Sequence, residues 1–311
     1  MSAGCANCYA EAQDKRWGHD SFGHGKQRRR TGEKYWRQPI LWNMSANISR
    51  VIDGLVWDGS IRSQIAGMPE TLVVIAKSGE VERRIPIYEW NAAEEYRPRV
   101  FCASLADWLD DEVPVEWLAD LLALIQATPN LDWLLLTKRP EKFEARLIGA
   151  SLCEHDARND YFGRNVGCWM TNWLNGEEPS NVWIGATVEN QEMADKRIPA
   201  LLRIPAKVRF LSCEPLLWPV DLVPYLFVPD PHGAPADLIP RLGNFDPAIH
   251  WVICGGESGP NARPMHSDWA RSLRDQCKDA GVAFFMKQTG GVRKPFPVIP
   301  TDLEIKEYPN A

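Results

Sequence analysis

The feature that most constrains this chain is a series of short apolar runs, each closed by a polar cluster. Val100-Phe-Cys-Ala-Ser104 leads into Leu-Ala-Asp107, and Trp133-Leu-Leu-Leu136 into Thr-Lys-Arg-Pro140. Val182-Trp-Ile-Gly-Ala186 leads into Thr-Val-Glu-Asn190, and Val208-Arg-Phe-Leu211 into Ser-Cys-Glu-Pro215. Trp251-Val-Ile-Cys254 ends in Gly-Gly-Glu-Ser258, and Val282-Ala-Phe-Phe-Met286 ends in Lys-Gln-Thr289. Short runs that are apolar throughout read as strands buried on both faces. Helical patterns separate several of them. Leu118, Leu121, Leu122 and Ile125 recur at helical spacing, a helix is expected from Asn190 to about Arg203, and another from an N-cap at Ser267 to just before Gly281. Alternating strands and helices predict an α/β fold with a parallel sheet. A seventh strand is expected near the N-terminus.

Two layouts satisfy this pattern: a full or partial (β/α) barrel, and a doubly wound sheet. Both gather functional groups at the carboxyl ends of strands. Here Ser104, Asp107, Thr137, Lys138, Arg139, Glu189, Asn190, Ser212, Glu214, Glu257, Ser258, Lys287 and Gln288 all follow apolar runs. Six loops converging on one centre favour the barrel, because in a doubly wound sheet only the switch-point loops meet. The chain therefore reads as one barrel-like domain over residues 1–311 with insertions. Residues 44–99 form an insertion with a hairpin expected at 72–76 and 81–87. Residues 141–180 and 219–249 read as inserted loops, the latter with seven prolines.

The formal charge of −6 disfavours bulk nonspecific nucleic-acid binding. A local basic groove remains open, with Lys26-Gln-Arg-Arg-Arg30 as one candidate and a solvated surface run as the alternative. No apolar stretch is long enough to span a bilayer, and no secretory leader is evident, so a cytoplasmic protein without membrane contact is expected. In that compartment the eight cysteines are thiols or metal ligands.

Cys5 and Cys8 form a Cys-x-x-Cys pair, which suits zinc, an iron–sulfur cluster or a redox dithiol. His19 and His24 complete a nominal zinc pattern at loose spacing. Cys102, Cys213, Cys254 and Cys277 lie in or beside strand and helix patterns and read as buried structural thiols. Gly255-Gly-Glu-Ser-Gly-Pro260 follows a strand, so its glycines allow close backbone approach to a ligand, with Glu257 at the mouth. It lacks the spacing of a phosphate-binding fingerprint. Lys138, Arg139 and Lys287 are candidates for phosphate or carboxylate, with surface salt bridges as the alternative. No hydrolase elbow, zinc-protease motif or P-loop is present.

Taken together, Gly4-Cys-x-x-Cys-Tyr-Ala10, Ser104-Leu-Ala-Asp107, Leu136-Thr-Lys-Arg-Pro140, Gly185-x-Thr-Val-Glu-Asn190, Ser212-x-Glu-Pro215, Gly255-Gly-Glu-Ser-Gly-Pro260, Asp268-Trp269 and Phe285-Met-Lys-Gln288 resemble the phage and prophage three-cysteine-motif proteins. That family is similar in cysteine pattern and layout to radical S-adenosylmethionine enzymes. The resemblance implies a barrel of that type, a [4Fe–4S] cluster on Cys5 and Cys8, and S-adenosylmethionine as cofactor, with nucleic acid or a nucleotide as substrate. It places a first cysteine seven residues before Cys5, upstream of Met1, so the expectation is that Met1 is an internal methionine. Position in the barrel then suggests roles. Tyr9 packs near the adenine, and Ser104 and Asp107, or Glu214, meet the ribose or amino group. Lys138, Arg139 and Lys287 meet a carboxylate or phosphate, and Glu189 and Glu257 act with Lys138 as catalytic or orienting groups. The alternatives are a zinc- or cluster-binding nucleic-acid module without catalysis and a module that works through a partner protein.

Overall fold

The computed structural model describes residues 9–48, 71–75, 81–86, 97–102, 106–153, 166–226, 248–292 and 296–309. The chain divides into two units. One comprises residues 1–30, 101–123 and 133–311, and the other residues 31–100 and 124–132.

Two helices open the described chain, α1 (Tyr9–Arg16) and α2 (Glu33–Ile48). The expected seventh strand is not found among the described residues there. The expected hairpin is present: β1 (Thr71–Ile75) pairs antiparallel with β2 (Val81–Pro86). Six further strands follow, β3 (Arg99–Cys102), β4 (Asp132–Thr137), β5 (Val182–Thr187), β6 (Val208–Cys213), β7 (Trp251–Gly255) and β8 (Ala283–Gln288). They form one parallel sheet in the order β3-β4-β5-β6-β7-β8, curled into a half-barrel. Sequential order without reversal excludes the doubly wound alternative, whose order turns back at a switch point. A partial β/α barrel is the result.

Helices α3 (Val115–Ala127), α4 (Phe143–Ser151), α5 (Val166–Leu174), α6 (Gln191–Leu202), the single turn α7 (Val223–Leu226) and α8 (Ser267–Ala280) fall between consecutive strands. Residues 141–180, expected to be an inserted loop, instead contain α4 and α5. Each buries one face, Phe143, Leu147 and Ala150 in α4 and Val166, Met170 and Trp173 in α5, at the i, i+4, i+7 spacing of a short amphipathic helix. In α8 the expected N-cap is one residue late. His266 occupies the cap position without a side-chain bond, and Ser267 is the first helical residue. Gly281 ends the helix at φ 68°, as the sequence predicts.

Every residue of β5 and β7 is buried, which explains their unbroken apolar sequences. One face of the sheet carries Leu134, Trp183, Val208, Phe210, Trp251 and Ile253 as a continuous cluster. Gly185 lies in register with Phe210, and a Cβ there would fall 2.6 Å from a ring carbon of that phenylalanine. The glycine therefore makes room for the largest side chain on the neighbouring strand. The outer edge of β8 is covered by residues 305–307. Met286 N–H donates to the Ile305 carbonyl at 2.9 Å, and Glu307 N–H to the Phe284 carbonyl at 3.0 Å. Tyr308 then packs its ring 5.3 Å from that of Trp251 and 5.4 Å from that of Phe285.

Candidate functional site at the carboxyl edge of the sheet

The charged residues predicted at strand ends are gathered at the carboxyl edge, and most are matched in pairs. After β5, Asn190 caps α6 by accepting the Met193 N–H at 2.9 Å. The helix then returns Arg197 to the start of the motif. Its guanidinium donates to Glu189 Oε2 and to the Thr187 carbonyl, both at 2.7 Å. Glu189 is fully buried. A carboxylate there is tolerable only because the guanidinium compensates its desolvation. Glu189, expected to be an acid–base group, thus sits in a buried ion pair.

After β6, Glu214 accepts from Lys287 Nζ at 2.8 Å and from the Gln288 amide at 3.3 Å. Gly255 lies beneath it, with a virtual Cβ 3.2 Å from the Glu214 carboxyl carbon. This pair is the open one at the edge, with the Lys287 side chain 53% exposed. After β7, Glu257 is buried and accepts from Arg263 through Nε at 2.9 Å, Nη2 at 2.6 Å and the backbone N–H at 2.8 Å. The Glu257 carboxylate holds the Arg263 guanidinium above its ordinary pKa.

The close backbone approach that the glycines after β7 allow is made by a second protein loop. A Cβ on Gly256 would lie 2.6 Å from the Thr289 carbonyl carbon, and one on Gly290 2.6 Å from the Gly256 carbonyl carbon. The loops are tied there by Gly256 N–H donating to the Gln288 carbonyl at 2.9 Å and Gly291 N–H to the Glu257 carbonyl at 2.7 Å.

Asp107 serves as a clamp between the loops after β3 and β4. Its carboxylate accepts from Leu109 N–H, Thr137 hydroxyl, Lys138 N–H and Arg139 Nη1, at 3.1, 2.7, 2.9 and 3.1 Å. Burial lowers the Arg139 pKa, but Asp107, Asp110 and Asp111 outweigh it and the net direction is up. In the basic run at 26–30, Arg28 and Arg30 are drawn into ion pairs while the Lys26 and Arg29 side chains stay half-exposed. Arg28 donates to Asp110 at 2.9 Å and pairs with Glu112 at 3.1 Å, while also donating to the carbonyls of Ser21, Gly23 and Lys26. Arg30 pairs with Asp120 at 2.5 Å, and His24 Nδ1 contacts Glu112. Residues 19–30 are thereby strapped across the loop after β3.

Cys5, Cys8 and Ser104 lie outside the described residues, as does the side chain of Tyr9. Cys213, Cys254 and Cys277 are buried, as expected, while Cys102 is half-buried. Burial pushes the Cys277 thiol up to about 12 and also raises those of Cys213 and Cys254 well above their ordinary range. All three therefore stay protonated. Among the described residues no group of three or more histidines, cysteines and carboxylates is placed to hold a metal ion. No described helix is long and apolar enough to cross a membrane.

Sequence reasoning missed Arg197 and Arg263, the partners of Glu189 and Glu257. Arg197 had a spacing signal, standing eight residues after Glu189 and seven after Asn190, the residue that caps the helix. Trp218, exposed on the loop after β6, had none.

This geometry defines a partial β/α-barrel protein whose carboxyl edge carries matched carboxylate–cation pairs. Residues 1–298 match the family described as a protein of unknown function, DUF5131, and the chain belongs to that family. No curated protein and no solved structure matches the chain.

Proposed function

We propose that this protein is an iron–sulfur enzyme of the radical S-adenosylmethionine type that acts on nucleic acid or a nucleotide. The observation that carries the reading is a Cys-x-x-Cys pair immediately preceding α1 in a chain that forms a partial β/α barrel with a charged carboxyl edge. The donor set fits a cluster in kind, since two thiols at this spacing reach one centre. Cys5 and Cys8 would hold it. The buried, protonated thiols of Cys213, Cys254 and Cys277 are poor stand-ins for further thiolate ligands.

When bound, such a cluster supplies the electron that cleaves the sulfonium of S-adenosylmethionine. The chain's own residues bind and orient. Glu214 and Lys287 form an accessible pair of opposite charges, which suits the ammonium and carboxylate of an amino-acid zwitterion. Arg263, held by Glu257, offers a guanidinium to a phosphate or carboxylate, and Arg139 does the same after β4. Glu189 with Arg197 keeps the loop between β5 and α6 rigid, so its role is positional.

The test is anoxic purification of this chain and of the reading frame extended upstream of Met1. The expected result is a brown protein with about four irons per chain that forms 5′-deoxyadenosine from S-adenosylmethionine under reductant, and that loses its iron in the C5A/C8A variant. A colourless protein carrying zinc alone, or no metal in either form, would sink the reading.

A further inference from the structure

Trp218 is 67% exposed, yet its ring is not loose. It stacks on Trp269, with ring centroids 6.3 Å apart and planes 22° from parallel. The His266 ring lies 4.7 Å from Trp269. The preceding chain is fixed by Leu216 N–H donating to the Gly255 carbonyl at 2.8 Å and Leu217 N–H to the Glu189 carbonyl at 2.9 Å. A single exposed tryptophan is unremarkable, but here two indoles and an imidazole hold one planar face in place. That face belongs to the carboxyl edge. Trp218 stands four residues after Glu214, at most roughly 14 Å of chain, and His266 three after Arg263, at most roughly 11 Å.

We infer that Trp218, backed by Trp269 and edged by His266, is a stacking platform for an unpaired base of a single-stranded nucleic acid. The inference rests on the nucleic-acid part of the proposed function and not on the cluster. A planar π surface selects a planar ring, and the imidazole beside it can pair with polar atoms on a base edge. Lys287 and Arg263 place cations along the same edge for the phosphates, which an apolar peptide side chain would not use. A free nucleotide would be enclosed over most of its surface, whereas this platform is open, as a strand extending past it requires. A duplex keeps its base faces covered and does not fit. Because Glu214 and Glu257 already neutralise the nearby cations, binding should release few counterions and weaken with a log–log salt slope of only about −1 to −2.

The experiment is fluorescence anisotropy of a labelled single strand of about ten nucleotides on the purified full chain. Replacing Trp218 with Ala should weaken binding by about 10- to 100-fold, with W218F retaining most of the affinity. W218L keeps apolar area without the π face and should lose as much as W218A. Melting temperatures should match the parent, since the side chain is exposed. Parent-like binding by W218A, no single-strand binding by the parent, equal affinity for duplex, or displacement by a mononucleotide at the strand's own concentration would each overturn the platform. Iron content and S-adenosylmethionine cleavage are measured separately. A colourless protein that still depends on Trp218 removes the cluster reading and keeps the platform, and a brown, cleaving protein that ignores single strands does the reverse.

Discussion

Gly256 and Gly290 show how one missing atom shapes this edge. Their Cα atoms face backbone of the other loop, with no flexible side chain to yield. Gly256→Ala should cost about 3 kcal/mol, the upper range for an unrelievable clash. Gly176 is the internal comparison, with φ 97° and nothing within 4 Å of its virtual Cβ. Its alanine variant should lose only about 1 kcal/mol, from backbone strain alone. Urea unfolding midpoints of the two variants check the ranking, and equal losses would mean the loops can separate freely. Glu189 and Arg197 behave differently, because each is buried against the other. Glu189→Leu or Arg197→Met alone should destabilise by about 3–5 kcal/mol. The double variant should recover most of that loss, since two apolar groups leave no orphaned charge. A double variant that merely sums the two single losses would show that the pair is not what stabilises either ion.

The strap from residue 19 to 30 is an element without regular structure, held by side chains. Arg28 is its anchor, 13% exposed and bonded to two carboxylates and three carbonyls. Arg28→Ala should open residues 17–30 to limited proteolysis and cost about 2 kcal/mol, while Lys26→Ala, at an exposed pair with Asp20, should change neither. Arg28→Lys should rescue little, because an ammonium cannot reproduce the guanidinium fork. Elements also separate what the sequence reveals from what it hides. Strands β4 to β7 were legible because burial on both faces writes itself as an apolar run, and Glu189, Glu214 and Glu257 because polarity resumes abruptly where each run ends. The pairing of those carboxylates was far less so, since only its spacing from Glu189 hints at Arg197, and Arg263 looks like an ordinary surface cation until the chain folds back. Helices α4 and α5 escaped for a different reason: each has a regular i, i+4, i+7 stripe but is only 9 residues long, too short to stand out within a polar, mixed segment. The roles of Cys5 and Cys8 rest on resemblance, and that is where chemistry on the bench adds most.

At the scale of the molecule, the three buried thiols tie stability to alkaline pH. A thiol raised in the folded state from 9.0 to about 12, as at Cys277, stays protonated while the unfolded chain ionises. Its contribution is complete below about pH 9 and is lost as pH rises towards 12. Cys213 and Cys254 act in the same direction. Thermal melts should therefore fall steeply across that window, and Cys277→Ala should flatten the fall, whereas an unchanged slope would assign the loss to other groups. The half-barrel also has to end somewhere, and on the β8 side it ends on its own tail. With the outward N–H and C=O groups of β8 taken up by residues 305–307, that side presents no bare template on which a neighbouring chain could continue the sheet. Residues 304–308 then govern how the protein behaves in a crowded solution. A chain cut after Leu303 should scatter more light as it is concentrated, and an affinity tag joined beyond Tyr308 should be harmless where one joined in place of residues 304–308 would promote fibrous or gel-like association.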